Sequence, residues 1–215
     1  DIQVMAAWKG QMGAGDDTVK ITAEIAKLAG YKTMFKAAFN SDDITPDHVV
    51  KALSTFVRSI RSGNAPFDKF EQGDKKAMSE GAARGWEIFR NKAGCAACHA
   101  PPLFTDFKYH NVGVGYGAKD PDKGRAIITK DVKDEGKFKT PGLRSVTTHP
   151  PYLHDGSAKT IEAAVDYMLS GGHKNANLDS ALKKITLTKE ERADLLEFLK
   201  ALEAPPAKFD KPTMP

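Results

Sequence analysis

Cys95 and Cys98 are the only two cysteines in the 215 residues, and they stand two residues apart with His99 directly after them, in Gly94-Cys95-Ala96-Ala97-Cys98-His99. C-x-x-C-H is the pattern through which haem is attached covalently. Each thiol adds across one of the two vinyl groups on the haem edge, and two intervening residues let both sulfurs reach from one helical turn. The histidine is then placed beneath the iron as the proximal ligand. Two bonds of this kind spare the fold from holding the porphyrin by packing alone. Three other readings are open to the same residues. A thioredoxin-type dithiol wants a strand before the motif, and here a helical pattern precedes it. A zinc site wants further cysteines or well-spaced histidines. Two unconnected buried thiols need nothing else. One covalently bound haem c is the expectation. Because such haem is attached outside the bacterial inner membrane, a periplasmic (extracytoplasmic) location follows.

The pattern around the motif is mainly α. Residues 17–29 and 31–39 predict short helices broken by Gly30. Thr45-Pro46-Asp47 is a helix start, with a capping hydroxyl, proline in the first position and an acid in the first turn. Val49, Val50, Leu53, Phe56, Val57 and Ile60 follow at helical spacing, and Ser62 to Pro66 ends the run. A loop to Gly73 leads to Asp74, which can cap a helix carrying Ala83, Trp86 and Phe89 into the cysteine motif. Residues 100–150 are rich in Gly, Pro, Asp and Lys without periodicity, as expected of a long functional loop or one wrapped around something. Helix returns at Thr160, with Ile161, Ala164, Val165, Met168 and Leu169 in a stripe stopped by Gly171-Gly172. Thr188 and Glu191 form a capping box for a last helix that buries Leu195, Phe198, Leu199 and Leu202 before Pro205-Pro206. Nothing alternates convincingly as a sheet.

Composition excludes some partners. The net charge is +4, and the basic residues between Lys108 and Lys139 are interleaved with acids, so no nucleic-acid footprint is expected. No apolar run approaches the length of a membrane span. The chain opens at Asp1 without a leader, which predicts a mature, processed or excised start.

The second axial ligand must come from His48, His110, His149, His154 or His173, or from Met5, Met12, Met34, Met78, Met168 or Met214. A thioether raises the haem potential and suits electron transfer. Met168 lies on an amphipathic helix well after the motif, where a methionine is also a common core residue. On spacing alone it competes with His154, His173 and Met78.

Residues 66–210 resemble the carboxy-terminal, electron-transfer half of bacterial dihaem cytochrome c peroxidases and their MauG-type relatives. The matching stretches are Pro66-Phe67-Asp68 with Gly73-Asp74, GCAACH with Pro102-Leu103-Phe104, Asp122-Lys123-Gly124-Arg125, FKTPGLRSV (138–146) and PPYLHDGSAKTIEAAV (150–165). Residues 1–65 fit more loosely, as a helical lead-in belonging to the same unit. The resemblance implies a cytochrome c-like haem domain with long irregular loops over 66–215. It also implies Met168 as the iron ligand opposite His99, because the peroxidases carry a methionine on the helix after the HDG-type turn, where MauG-type proteins carry a tyrosine. Tyr167 falls one residue early, so the chain is similar to the peroxidase branch. Arg125 and Arg144 are candidates for pairing with haem propionates, and His154 for a hydrogen bond within its turn. Family members hold calcium partly through carbonyls matching His149 and Pro151, with a side-chain ligand from the other domain.

A second C-x-x-C-H, a distal base for peroxide and a tryptophan between haems are not found in the sequence; Trp8 and Trp86 do not match that position. The leading expectation is an electron-transfer domain served by a small cytochrome or cupredoxin donor and passing electrons to a second haem-bearing domain or chain. One alternative is a self-contained single-haem shuttle. Another is an enzyme in its own right, in which Met168 leaves the iron and peroxide enters.

Overall fold

The computed structural model describes residues 1–10, 12–205 and 208–209. They divide into two compact units, residues 1–61 with 208–209 and residues 62–205. Met214 and the tail of the expected 66–215 domain lie outside the described residues.

The first unit holds four helices: α1 (Ile2–Lys9), α2 (Thr18–Ile25), α3 (Ala29–Phe39) and α4 (Pro46–Ser59). The start of α4 is built as its sequence predicts: Thr45 Oγ1 accepts the His48 N–H at 3.2 Å, with Pro46 and Asp47 in the first turn. Trp8, Ala14, Val49 and Val50 form the core, joined by Val4, Met5, Ile21, Ile25, Phe35 and Ile44. Only the first part of the α4 stripe is buried; Leu53, Phe56, Val57 and Ile60 are exposed. The break expected at Gly30 falls instead at Ala26–Leu28, and Gly30 lies in the first turn of α3. The first turn is where N–H groups lack intrahelical partners in any case, so a glycine there interrupts little.

In the second unit the expected loop before Gly73 contains a short helix, α5 (Pro66–Glu71), whose start is fixed by Asp68 accepting the Ala65 N–H at 3.0 Å. The next helix, α6 (Glu80–Glu87), is capped by Ser79 and not by Asp74: Ser79 Oγ accepts the Ala82 N–H at 3.0 Å. The Asp74 carboxylate instead accepts the Lys76 N–H within a turn. The last helix, α9 (Lys189–Lys200), carries the Thr188/Glu191 capping box. It packs on α6 through Gly81 and Gly85, where added Cβ atoms would overlap the Glu197 carboxylate and the Asp194 carbonyl oxygen. Glycine at these two positions lets the two backbones approach.

That approach closes an aromatic core. Phe67, Trp86, Phe89, Phe104 and Phe198 are all buried, with ring centroids 5.0–6.2 Å apart, mostly edge-to-face or tilted. Residues 100–150 are irregular as expected, apart from a short helix, α7 (Ala126–Thr129), two 3-10 turns at Val132–Asp134 and Val146–Thr148, and one antiparallel pair, β1 (Tyr109–Asn111) with β2 (Lys137–Lys139). Three-residue strands are too short to leave a period-two signature. Helix α8 (Ile161–Leu169) starts at Thr160, whose hydroxyl accepts the Ala163 N–H. It ends at Gly171 and Gly172, both at positive φ.

Candidate haem site

Helix α6 runs on into a wide turn, Ile88–Lys92, that buries Phe89. Gly94, at φ 65°, reverses the chain into a 3-10 turn at Cys95–Ala97. One turn therefore presents both cysteines, and Cys95 and Ala96 pack against the aromatic core. The thiols are unbridged. Burial pushes the Cys95 thiol up to about 11. Burial raises Cys98 as well, with Asp106 and Asp179 adding to the effect. A dithiol built for exchange has a lowered pKa, so this environment disfavours the thioredoxin-type reading.

His99 is half-buried and gives its Nδ1 hydrogen to the Phe104 carbonyl at 2.8 Å. Nε2 has no well-aligned hydrogen-bond partner among the described residues, although the Pro141 carbonyl lies close enough to the ring to favour its protonated form. Burial lowers the imidazole pKa, against the opposing influence of the Phe104 carbonyl and Asp106. The ring is thus held neutral, fixed in tautomer and open at one nitrogen, as a metal-ligating histidine requires. Two thiols on one turn and this histidine are a donor set that fits a covalently attached haem.

Met168 is half-buried near the end of α8. Ile161 and Val165 are the α8 side chains that join the core cluster. The helix end is tied down on both sides of Met168: Tyr167 OH donates to the Val112 carbonyl at 2.9 Å, and the Ile185 N–H donates to the Leu169 carbonyl at 2.8 Å. Of its competitors, Met78 is only 6% exposed within the core cluster. His154 is exposed and stacks on Phe138 at 3.7 Å, in place of the expected hydrogen bond within its turn. His173 lies exposed beside Tyr167, ring centroids 5.7 Å apart.

Both candidate arginines have protein carboxylates as partners. Arg125 Nε donates to Asp134 at 3.1 Å, and its guanidinium lies 4.2 Å from the centre of the Tyr109 ring. Arg144 grips Asp68 with two nitrogens, at 2.9 and 2.7 Å, and donates from Nε to the Pro102 carbonyl at 2.8 Å.

Sequence reasoning missed a cluster beside the motif. His110, on sequence only one of several candidate second ligands, is bonded at both ring nitrogens: Nδ1 to Asp179 at 2.5 Å and Nε2 to Asp106 at 2.9 Å. Burial alone would lower its pKa, but the two carboxylates outweigh this and raise it. Donor atoms of Cys98, Asp106 and His110 lie within 4.8 Å of one another. A zinc ion there would have to displace a carboxylate from His110 and would still have a single cysteine, which is a poor match for a structural site. Asp179 is 69 positions from His110, and no local pattern announces the contact. The neighbouring Asn111 is buried and exchanges amide hydrogen bonds with Asn175, so it also ties the 173–182 segment to β1.

Comparison with known proteins places this arrangement. The family described as di-haem cytochrome c peroxidase matches residues 2–76, which include the helical lead-in before the cysteine motif. The methylamine utilization protein MauG of Methylorubrum extorquens is 38% identical over 91% of this chain and 55% of its own length. Cytochrome c551 peroxidase of Nitrosomonas europaea is 32% identical over 89% of this chain and 54% of its own. Among solved structures, a MauG-like protein associated with microbial copper homeostasis superposes with a TM-score of 0.79 at 32% identity, over 88% of this chain and 63% of its own. The chain thus spans between half and two-thirds of the length of these relatives. It belongs to the dihaem cytochrome c peroxidase and MauG-type family.

Proposed function

We propose that the chain is the c-type haem electron-transfer part of a dihaem peroxidase-type protein. In this reading Cys95 and Cys98 would hold the haem through thioethers, and His99 Nε2 and Met168 Sδ would be its iron ligands. The bound haem would supply a one-electron iron couple. The protein's part is to hold that group and to close its iron to substrate. The cysteine turn fixes one edge against the aromatic core. The Phe104 carbonyl fixes the His99 tautomer and strengthens the ring as a donor. The Tyr167 hydroxyl and the Leu169 carbonyl, tied down on either side of Met168, keep the thioether in place. Electrons would arrive from a small cytochrome or cupredoxin and leave to a second haem-bearing domain or chain. The family is dihaem, and the sequence carries one attachment motif.

The observation that carries this reading is His99, anchored at Nδ1 and open at Nε2, one residue after the paired thiols. The arrangement of helices around the motif supports a cytochrome c-like reading of the 62–205 unit. The peroxidase branch is assigned on Met168, since overall identity is higher to the MauG protein quoted above than to the peroxidase. Arg125, whose terminal nitrogens have no protein partner among the described residues, is the arginine better placed to pair with a propionate; Arg144 would first have to leave Asp68. Calcium bound through the His149 and Pro151 carbonyls would need a ligand from the second domain. Covalent attachment implies maturation outside the cytoplasm. No helix among the described residues is long and apolar enough to cross a membrane.

The test is intact mass under denaturing conditions, on protein made in a host that matures c-type cytochromes. The expected mass exceeds the polypeptide by one haem. A bare chain, or one lighter by two hydrogens for a disulfide, refutes the assignment.

A further inference from the structure

We infer that Arg144, anchored by Asp68, is the positioning residue that sets the donor strength of His99. The inference rests on His99 being the iron ligand. The Arg144 side chain is 10% exposed. Its two terminal nitrogens hold both oxygens of Asp68, and Nε holds the Pro102 carbonyl. Its guanidinium carbon lies 5.3 Å from the centre of the Phe104 ring. Phe104 is fully buried at φ 56°, in the left-handed region that a bulky side chain rarely adopts and that persists only where the surroundings over-determine it. Its carbonyl is the one that accepts the His99 Nδ1 hydrogen.

One planar cation therefore fixes the residue two before Phe104 by a hydrogen bond and Phe104 itself through its ring. By doing so it aims the acceptor of His99. Asp68 is itself held, because one of the two oxygens that meet Arg144, Oδ2, also caps the start of α5 by accepting the Ala65 N–H. A carbonyl acceptor on the outer nitrogen makes the ring a stronger donor at the inner one. A stronger donor favours the ferric state and lowers the potential. Lysine cannot reproduce this, since a single ammonium has no planar fork to span Asp68 and the Pro102 carbonyl together.

The test uses the haem-loaded chain, with Met168→Ala as a second background in which the ferrous iron–imidazole stretch can be read by resonance Raman. In Arg144→Leu the haem is expected to remain covalently attached. The midpoint potential should rise, and the iron–imidazole band should move to lower frequency. Asp68→Asn and Arg144→Lys should shift both in the same direction by less. A loss of packing elsewhere can shift the potential through solvent exposure but leaves the iron–imidazole band in place, so the two readouts must move together. Unchanged potential and unchanged band in haem-loaded Arg144→Leu overturn the inference. Should that variant fail to fold, the same two readouts on Asp68→Asn and Arg144→Lys decide it in the same way. Failure of the underlying ligand assignment is separately visible: the Met168→Ala background would lack an iron–imidazole band, or would keep it when His99→Ala is added, and both the assignment and the inference would fall.

Discussion

His110 and Asp179 meet at 2.5 Å although 69 residues separate them, and Asp106 takes the other ring nitrogen. An imidazole bonded to a carboxylate at each nitrogen donates twice and is therefore held as the cation. The pair draws the 173–182 segment, which follows the Met168 helix, onto the loop that follows the Cys98 motif.

This arrangement predicts a pH signature. The folded pKa of His110 is raised above its ordinary value, because the bonds to Asp179 and Asp106 outweigh burial. Its contribution to stability is fully present below the unfolded value of about 6.5 and disappears as pH rises through the higher folded value. Asp179 is lowered chiefly by its bond to His110. Asp106 is also lowered, because its bond to His110 and its other hydrogen bonds outweigh burial. Their contribution is present above about pH 4 and is lost as pH falls through their folded values. In thermal melts, the gap between wild type and His110→Gln should be widest between about pH 4 and 6.5 and should narrow on the alkaline side. A gap that stays constant from pH 5 to pH 9 would show that the ion pairs carry no linkage.

A second prediction concerns Met168. The ferric protein should show the weak near-infrared band of a sulfur–iron bond. Met168→Ala should abolish it, lower the potential and admit small ligands such as cyanide or azide. Persistence of the band in Met168→Ala would move the ligand to another methionine. Met78 was the next choice on sequence, but it is buried within the core cluster and would have to leave that cluster to reach the iron.

A third prediction tests the helix contact that supports the motif. Gly85 lies where any Cβ would collide with the Asp194 carbonyl, and backbone yields less readily than a side chain. Gly85→Ala should destabilise the fold by about 1–3 kcal/mol through overpacking, despite the better helix propensity of alanine. Gly63→Ala, at a glycine with open space around it, is the control. Equal melting temperatures for the two variants would remove the close-approach argument.

The parts of the fold legible in the sequence are those with a local chemical cause. The Thr45 and Thr188 caps, the α8 stripe with its glycine stop, and the cysteine turn each declare themselves within a few residues. Asp74 misled because a good capping residue also makes a good turn residue, and here the turn took it. Gly30 misled because a helix interrupter in the first turn interrupts nothing. What the sequence concealed is held by two distant pairs, His110 with Asp179 and Arg144 with Asp68, and by the positive-φ turn at Phe104 that brings its carbonyl back to His99. A side chain's partner 69 or 76 residues away leaves no periodic trace. The motif therefore singled out His99 as the candidate iron ligand, while the groups that orient its ring became visible only once the chain was folded.

The last prediction concerns catalysis. Peroxide cleavage needs an open iron and a nearby acid–base group to move a proton between the two oxygens. In the proposed arrangement Met168 fills the open position, and the half-buried helix end that carries it is tied by Tyr167 and Leu169. The titratable groups closest to the motif are also ill-suited to the task. His110 has both nitrogens engaged by carboxylates. Those carboxylates are themselves stabilised in the charged form, so they are poor proton donors near neutral pH. The haem-loaded chain alone should therefore exchange electrons with a reduced small cytochrome but turn over hydrogen peroxide slowly. Peroxidase activity should appear when a companion domain or chain with its own haem is added, and Met168→Ala should impair electron delivery in that complex. A steady-state assay with reduced cytochrome as donor, run on the chain alone and then with the companion, separates the outcomes. Rapid turnover by the chain alone would mean that Met168 leaves the iron during the reaction, and the chain would then be an enzyme in its own right.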